Sequence, residues 1–215
     1  MKKTAGFLLV VSLMGLGCAG YNTRGAMPVT SRVNDTKLIK AEKDGIAITA
    51  FPILNEDDSR KYFDENLLDY RILALFLDVF NKTSNEVKVA SSELKIGQIV
   101  LKPSTTDIMY KAVKREYAGK AFFWMFPTLY IGAPISAIHT YRINKEIEAD
   151  MKEKQLDFGK EIKPLGMSQG FVWFKIPDKT SSEDKGDGLP KGMVLNLVIE
   201  IGKEAIKYEL SIPNN

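Results

Sequence analysis

The sequence predicts a mainly β protein, an antiparallel β-sandwich of about seven strands with a helical hairpin inserted between strands. Short apolar stretches alternate with polar residues and are bounded by turn residues, which is typical of antiparallel sheets. Between residues 104 and 158 this alternation gives way to a helical period. The 215 residues are 45% hydrophobic and 27% charged, so the chain can fill the core of one such domain and is not a disordered chain.

Residues 1–17 have the pattern of a secretory signal peptide. Lys2 and Lys3 precede the apolar run of residues 7–14 (FLLVVSLM), and small residues then lead to Cys18. The run is too short for a bilayer-spanning helix, which needs about 20 residues. Cys18 is the only cysteine, so a disulfide scaffold is excluded.

Residues 14–18 (MGLGC) resemble the lipobox of bacterial lipoproteins, in which the signal peptide is removed before a cysteine that then carries acyl chains. Gly17 matches the small residue before the cut, whereas Gly15 stands where leucine is usual. The resemblance implies a covalent lipid on Cys18. Ala19, where aspartate would retain the protein in the inner membrane, implies the periplasmic face of the outer membrane. A plain signal peptide and an uncleaved anchor are the alternative interpretations.

The rest of the chain is predicted to be a tether at residues 18–44 and a sandwich domain at residues 45–215. The first half of the tether is polar and lacks periodicity. Ile46, Ile48 and Pro52 alternate as in a strand, and the charged residues 55–61 (NEDDSRK) are predicted to be a loop.

Residues 70–80 (YRILALFLDVF) predict a strand that is covered on both faces, because both sets of alternate residues are apolar. One face carries Leu73, Leu75, Leu77 and Val79, and the other carries Ile72, Ala74, Phe76 and Phe80. Turn residues at 81–85 precede Val87 and Val89, and we expect this next strand to pair antiparallel with the first.

The helical insertion is predicted at residues 104–158. Helical periodicity covers residues 107–117 and 141–157. The second helix has a thin apolar stripe of Ile143, Ile147 and Met151, which predicts a mostly solvated helix. Its lysines at 152 and 154 form i,i+4 pairs with Glu148 and Asp150.

Residues 121–138 (AFFWMFPTLYIGAPISAI) form an uncharged apolar segment between these helices. Pro127, Gly132 and Pro134 would break or kink a helix there. Its aromatic residues are candidates for membrane or partner contact: Phe122, Phe123, Trp124, Phe126 and Tyr130. Three interpretations are open, namely an additional core, a loop that contacts lipid or an envelope protein between flanking cations, and a bilayer-spanning segment.

Strands resume at residues 169–177 and end in a hairpin of residues 193–201 and 205–212. In residues 169–177, Phe171 and Trp173 share one face, and Val172 and Phe174 share the other. Residues 72–77, 81–83 and 170–177 (GFVWFKIP), with the final hairpin, resemble immunoglobulin-like domains of uncharacterised bacterial envelope lipoproteins. The resemblance implies an immunoglobulin-like sandwich and no catalytic residue.

The sequence contains no recognisable catalytic, metal-binding or cofactor-binding motif. His139 is the single histidine, so a histidine–cysteine zinc site is excluded. A net charge of +3 does not favour nucleic acid as a partner. We therefore expect a non-enzymatic, lipid-anchored periplasmic binding or scaffolding module. An envelope hydrolase that acts on glycan through paired carboxylates and a lipid carrier are the alternatives.

Overall fold

The structure is a computed structural model that describes residues 37–114, 132–177 and 190–213. For residues 132–137 and for His139 it describes the backbone alone. The described residues form nine strands, three α-helices and one short 3₁₀-helix. The predicted signal peptide, the predicted lipidation site and most of the predicted tether lie outside these ranges.

The strands form two antiparallel sheets. In the first sheet the order is β1 (Ile39–Lys43), β2 (Ile46–Ile53), β3 (Ile72–Asn81) and β7 (Met167–Lys175). In the second sheet it is β5 (Ile99–Leu101), β4 (Val87–Ile96), β8 (Met193–Ile201) and β9 (Glu204–Ser211), with β6 (Glu161–Ile162) beside β4. The chain passes between sheets from β3 to β4, from β6 to β7 and from β7 to β8, as in an immunoglobulin-like sandwich.

A helical layer covers the outer face of the first sheet. It consists of α1 (Glu56–Phe63), the 3₁₀-helix (Leu67–Tyr70), α2 (Thr106–Val113) and α3 (Gly132–Lys154). Because α2 and α3 lie between β5 and β6 in the chain, the predicted β-sandwich with a helical insertion is confirmed. The molecule therefore has three layers, with one core inside the sandwich and a second under the helices.

Strands β3 and β7 belong to both cores, and for β3 the alternating apolar faces predicted this. Leu73, Leu75, Leu77 and Val79 point into the sandwich, and Ile72, Ala74 and Phe76 point toward the helices. In β7, Val172 and Phe174 face the sandwich, while Phe171 and Trp173 face the helices. A strand that is buried on both sides needs apolar residues at every position, and this explains the continuous apolar runs.

The charged residues 55–61 were predicted to be a loop, and this prediction was wrong, because they form most of α1. Asn55 caps the helix, since its side-chain oxygen accepts from the Asp58 N–H at 2.8 Å. The acidic side chains of Glu56, Asp57 and Asp58 occupy the first turn, where they interact favourably with the helix dipole. The helix cap and the acidic first turn, rather than the high content of charged residues, determine the structure of this segment.

The predicted pairing of the strand after residue 85 with β3 was also wrong. β3 pairs with β2 and β7, and β4 pairs with β5, β6 and β8. The buried Asn81 side chain donates to the C=O groups of Asn85 (2.8 Å) and Ile162 (2.9 Å) and thereby holds a wide turn between the sheets. A tight hairpin would have kept both strands in one sheet.

The ordered sheet begins earlier than the predicted domain boundary at residue 45. Residues 39–43 of the predicted tether form β1, which pairs with β2 from Ile39↔Ala50 to Lys43↔Ile46. Asp44 and Gly45 have φ values of 50° and 76° and form the turn between these strands. The predicted domain boundary at residue 45 therefore falls inside the β1–β2 hairpin.

Candidate functional site

The helical insertion is fastened to the open edge of β7 at both of its ends. Before α2, the Ser104 N–H donates to the Trp173 C=O at 2.7 Å, and the Ser104 hydroxyl accepts from the Lys175 N–H at 3.2 Å. After α3, the Leu156 N–H donates to the Phe171 C=O at 2.9 Å. These bonds satisfy β7 backbone groups that would otherwise be exposed at a sheet edge.

The two helices of the insertion are joined to each other and to the sheet. The Thr106 hydroxyl donates to the Gln155 side chain, so the start of α2 lies beside the end of α3. Met109 and Val113 of α2 and Ile147 and Met151 of α3 are fully or almost fully buried in the core under the helices. The predicted hairpin is thus a packed structural unit.

The prediction of a mostly solvated second helix was wrong. Ile143, Ile147 and Met151 are buried as the stripe predicted, but Asp150 and Lys154 are buried beside them. Lys154 Nζ lies 2.8 Å from Asp150 Oδ2, donates to the Tyr62 C=O and lies 5.4 Å from the centre of the Phe63 ring. A buried ammonium group needs such partners. Because the partners of Lys154 come from both helices, this lysine joins α3 to α1.

The other half of α3 presents apolar and cationic side chains to solvent. Ile138 and Tyr141 are 62% and 55% exposed, and Arg142 and Lys145 are exposed beside them. Lys145 Nζ lies 5.7 Å from the centre of the Tyr141 ring. Spacings of three, four and seven residues place these side chains on one face of the helix.

The exposed side of α2 has the same character. Ile108 is 49% exposed, and Lys111 of the same helix and Lys114, the residue that follows it, are also exposed. α2 ends at Val113 and α3 begins at Gly132, so both patches adjoin the segment 115–131 in the chain. We call the exposed residues the basic–apolar surface: Ile108, Lys111, Lys114, Ile138, Tyr141, Arg142 and Lys145.

The described chain begins on this same layer. Lys37 Nζ forms an ion pair with Asp58 Oδ2 of α1 at 2.8 Å. Leu38 packs against the core under the helices. The segment that leads back to Cys18 therefore joins the molecule on its helical side.

A groove of about 720 Å³ lies between the end of α3 and the start of β7. Charged side chains line it on the helix side and in the following loop: Lys152, Glu153, Asp157 and Lys160. Phe158 and Met167 provide apolar surface. Its mixed charge does not select for an anion or a cation.

The residues that the sequence singled out lie mostly outside the described ranges. Cys18 precedes residue 37, and Phe122, Phe123, Trp124, Phe126 and Tyr130 fall within residues 115–131. His139 lies in α3. Gly132 and Pro134 do not interrupt α3, because they occupy its first turn, where N–H groups have no helical acceptor.

Sequence reasoning identified the cations that flank residues 121–138 but missed the exposed apolar residues Ile108 and Tyr141 beside them. The exposed apolar residues could have been found from their spacing with the cations along each helix, but their exposure depends on which helix face the sheet covers.

None of the helices in the described ranges is long and apolar enough to cross a membrane. Within those ranges, histidine, cysteine and acidic residues form no cluster of three or more that could hold a metal ion.

No protein-family model matches the chain, and no curated protein matches it either. Two solved structures align with most of it. One is a functionally unknown protein from Listeria monocytogenes EGD-e, with 7% identity, a TM-score of 0.37 and coverage of 82% of this chain and 81% of that one. The other is a DUF4426 family protein from Pseudomonas aeruginosa PAO1, with 7% identity, a TM-score of 0.33 and coverage of 85% and 99%. Similarity at these scores carries no argument about function.

Proposed function

We propose that the protein is a non-enzymatic envelope protein, lipid-anchored at Cys18 on the periplasmic face of the outer membrane, whose helical layer makes a second contact with lipid. The observation that carries the proposal is the basic–apolar surface. It combines exposed Ile138 and Tyr141 with exposed Arg142 and Lys145, and it adjoins the apolar residues 121–138 in the chain. Aromatic and aliphatic side chains next to cations are typical of surfaces that bind the lipid headgroup region.

The charge of this surface matches the sign of an anionic lipid surface, although Asp107 and Glu146 are also exposed on the same two helices and offset part of it. Each lysine or arginine near an anionic membrane contributes about 1 kcal/mol. The four cations of the basic–apolar surface would therefore contribute a few kcal/mol together, in addition to the apolar contact. A second attachment of this size would orient a protein that its acyl chains already hold at the membrane.

The position of the N-terminal segment supports the same orientation. Leu38 and Lys37 join the helical layer, so the segment that leads back to Cys18 starts from the same layer as the basic–apolar surface. Residues 18–36 can extend to at most about 65 Å, which is ample for a tether between the two attachments. The sandwich would then face away from the membrane and be free to act as a binding or scaffolding module.

Vesicle flotation of the lipid-free protein (residues 19–215) tests this proposal. We expect it to float with vesicles that contain anionic lipid and to bind neutral vesicles more weakly. R142Q/K145Q should reduce flotation, because it removes two cations of the surface. K95Q/K203Q is the matched control, since it removes two exposed lysines of the second sheet. Equal flotation of both double variants, or no flotation of the unmodified protein, would contradict the proposal.

The groove beside α3 is where the alternative functions would be sought. A glycan hydrolase needs two opposed carboxylates, and Glu153 and Asp157 both line the groove. Turnover of peptidoglycan fragments that is lost in both E153Q and D157N would favour the hydrolase. A lipid carrier needs a mainly apolar cavity, and the charged lining of this groove does not support one.

A further inference from the structure

Strand β9 pairs with β8 along one edge, and its outer edge pairs with no other strand among the described residues. The Ile212 N–H donates to the Met193 C=O, so in the β8–β9 ladder the even-numbered residues bond to β8. The backbone groups of the odd-numbered residues therefore point away from the sheet: Ala205, Lys207, Glu209 and Ser211. Among the described residues, no hydrogen bond reaches these outward groups.

This edge lacks most of the features that normally prevent pairing between edge strands. β9 has eight residues, contains no proline and pairs with β8 without a bulge. β7, one of the two edge strands of the first sheet, is covered at Phe171 and Trp173 by backbone from the insertion. In the described ranges β9 has no such backbone cover, and its contact with β1 is the side-chain bond from the Tyr208 hydroxyl to the Lys43 C=O.

Two of the three charged residues of β9, Lys207 and Glu209, are placed symmetrically about Tyr208, and Glu204 is the third. Lys207 and Glu209 are exposed on the same face of the sheet, and within the described part of the chain neither forms an ion pair. If two copies pair antiparallel about a two-fold axis at Tyr208, Lys207 of each copy lies opposite Glu209 of the other. Ala205 then lies opposite Ser211, and every paired backbone group finds a partner.

The charges also select this register over its neighbours. Moving the axis by one residue toward the N-terminus places Lys207 opposite Lys207 of the second copy. Moving it by one residue toward the C-terminus places Glu209 opposite Glu209. Opposite charges that face each other across strands stabilise a pairing, and like charges destabilise it.

We propose that the protein forms a two-fold homodimer through antiparallel pairing of β9 with β9 of a second copy, centred on Tyr208. The second sheet of one copy and the second sheet of the other then form one continuous sheet, with two Lys207–Glu209 pairs across the interface. This inference is independent of the membrane proposal, because it needs no lipid. A dimer of a lipoprotein would carry two anchors and would be held at a membrane more firmly than one copy.

Sedimentation velocity of the lipid-free protein (residues 19–215) tests the dimer. We expect a concentration-dependent dimer between about 1 and 100 µM, the range of a modest protein interface. K207E and E209K should each raise the dimer dissociation constant by about tenfold or more, because each replaces two attractive pairs with two repulsive ones. K95E, which makes the same charge change elsewhere on the second sheet, should leave it unchanged.

Charge exchange distinguishes a specific interface from a general effect of net charge. An equimolar mixture of K207E and E209K restores Lys–Glu pairing at both positions, and so does the double variant K207E/E209K. We expect both to dimerise as the unmodified protein does. A monomer up to 100 µM, or variants that weaken the dimer without recovery in the mixture and the double variant, would overturn the proposal.

Discussion

Gly170 of β7 and Leu156, two residues beyond α3, are in direct backbone contact. A Cβ atom on Gly170 would lie 2.5 Å from Leu156 N and 2.6 Å from Leu156 Cα. The Leu156 N–H donates to the C=O of the next β7 residue, Phe171. The end of the helical insertion is thus laid onto the edge of the first sheet at a point that has no room for a side chain.

G170A should therefore destabilise the protein. The added methyl group meets backbone rather than a flexible side chain, so the chain after α3 has to move away from β7. We expect the free energy of unfolding to fall by about 1–3 kcal/mol, the usual cost of overpacking. Urea denaturation followed by circular dichroism measures the change. S168A on the same strand is the control and should stay within about 0.5 kcal/mol of the unmodified protein.

Two lysines near the end of α3 should differ sharply in their contribution to stability. Lys154 and its partner Asp150 have side chains that are each 4% exposed, whereas Lys152 and Glu148 are 58% and 27% exposed. K154M leaves the Asp150 carboxylate buried without its cation, which should cost about 3–5 kcal/mol. K152M removes a screened surface pair and should cost less than about 0.5 kcal/mol. Similar losses of unfolding free energy in the two variants would contradict this interpretation.

Two buried serines offer a second matched comparison. The Ser59 hydroxyl donates to the Glu65 C=O and accepts from the Leu67 N–H, both at 2.8 Å. The Ser92 hydroxyl is also buried, but it has no hydrogen-bond partner among the described residues. S59A should cost about 1–3 kcal/mol, because it leaves a buried N–H without an acceptor. S92A should leave stability unchanged or raise it by about 1 kcal/mol, since it removes an unsatisfied group. Thermal or urea unfolding of both variants measures the difference, and a large loss in S92A would be inconsistent with the structure.

Tyr208 should make stability dependent on pH in the alkaline range. Burial, with a smaller contribution from the Asp44 carboxylate, raises the pKa of Tyr208 to about 12. Its hydroxyl donates to the Lys43 C=O at 2.8 Å and closes the sandwich between β9 and β1. In the unfolded chain a tyrosine ionises near pH 10, so the stabilisation is complete below that pH and is lost as pH rises from about 10 to about 12.

The Y208F variant should lack this component of the pH dependence. At neutral pH its urea midpoint should be lower than that of the unmodified protein. The difference between the two midpoints should narrow as pH rises above about 10. Y141F, which changes an exposed tyrosine, is the control and should keep the alkaline loss. If the difference in urea midpoint between Y208F and the unmodified protein stayed constant up to about pH 12, this would count against a buried, protonated Tyr208.

The elements with a strong hydrophobic period could be predicted from the sequence with their correct faces. β3 was identified as a strand with two buried sides, the residues on each face of β7 were assigned correctly, and α2 and α3 were placed in the right part of the chain. The period of two or 3.6 residues is a local property, because each apolar residue must be removed from water wherever its neighbours come from. The same logic identified Ile143, Ile147 and Met151 as the buried stripe of α3.

The partners of these elements depend on contacts between residues far apart in the chain. The turn that Asn81 holds sends β4 to the second sheet, and its bonds reach residue 162. Burial of Asp150 and Lys154 depends on Tyr62 and Phe63 of α1, about ninety residues away. The groove, the basic–apolar surface and the open edge of β9 likewise exist only once the layers are assembled. A sequence pattern shows which side chains must be buried. The free energy of each arrangement of strands and helices depends on which of their surfaces meet, and this is a property of the whole fold.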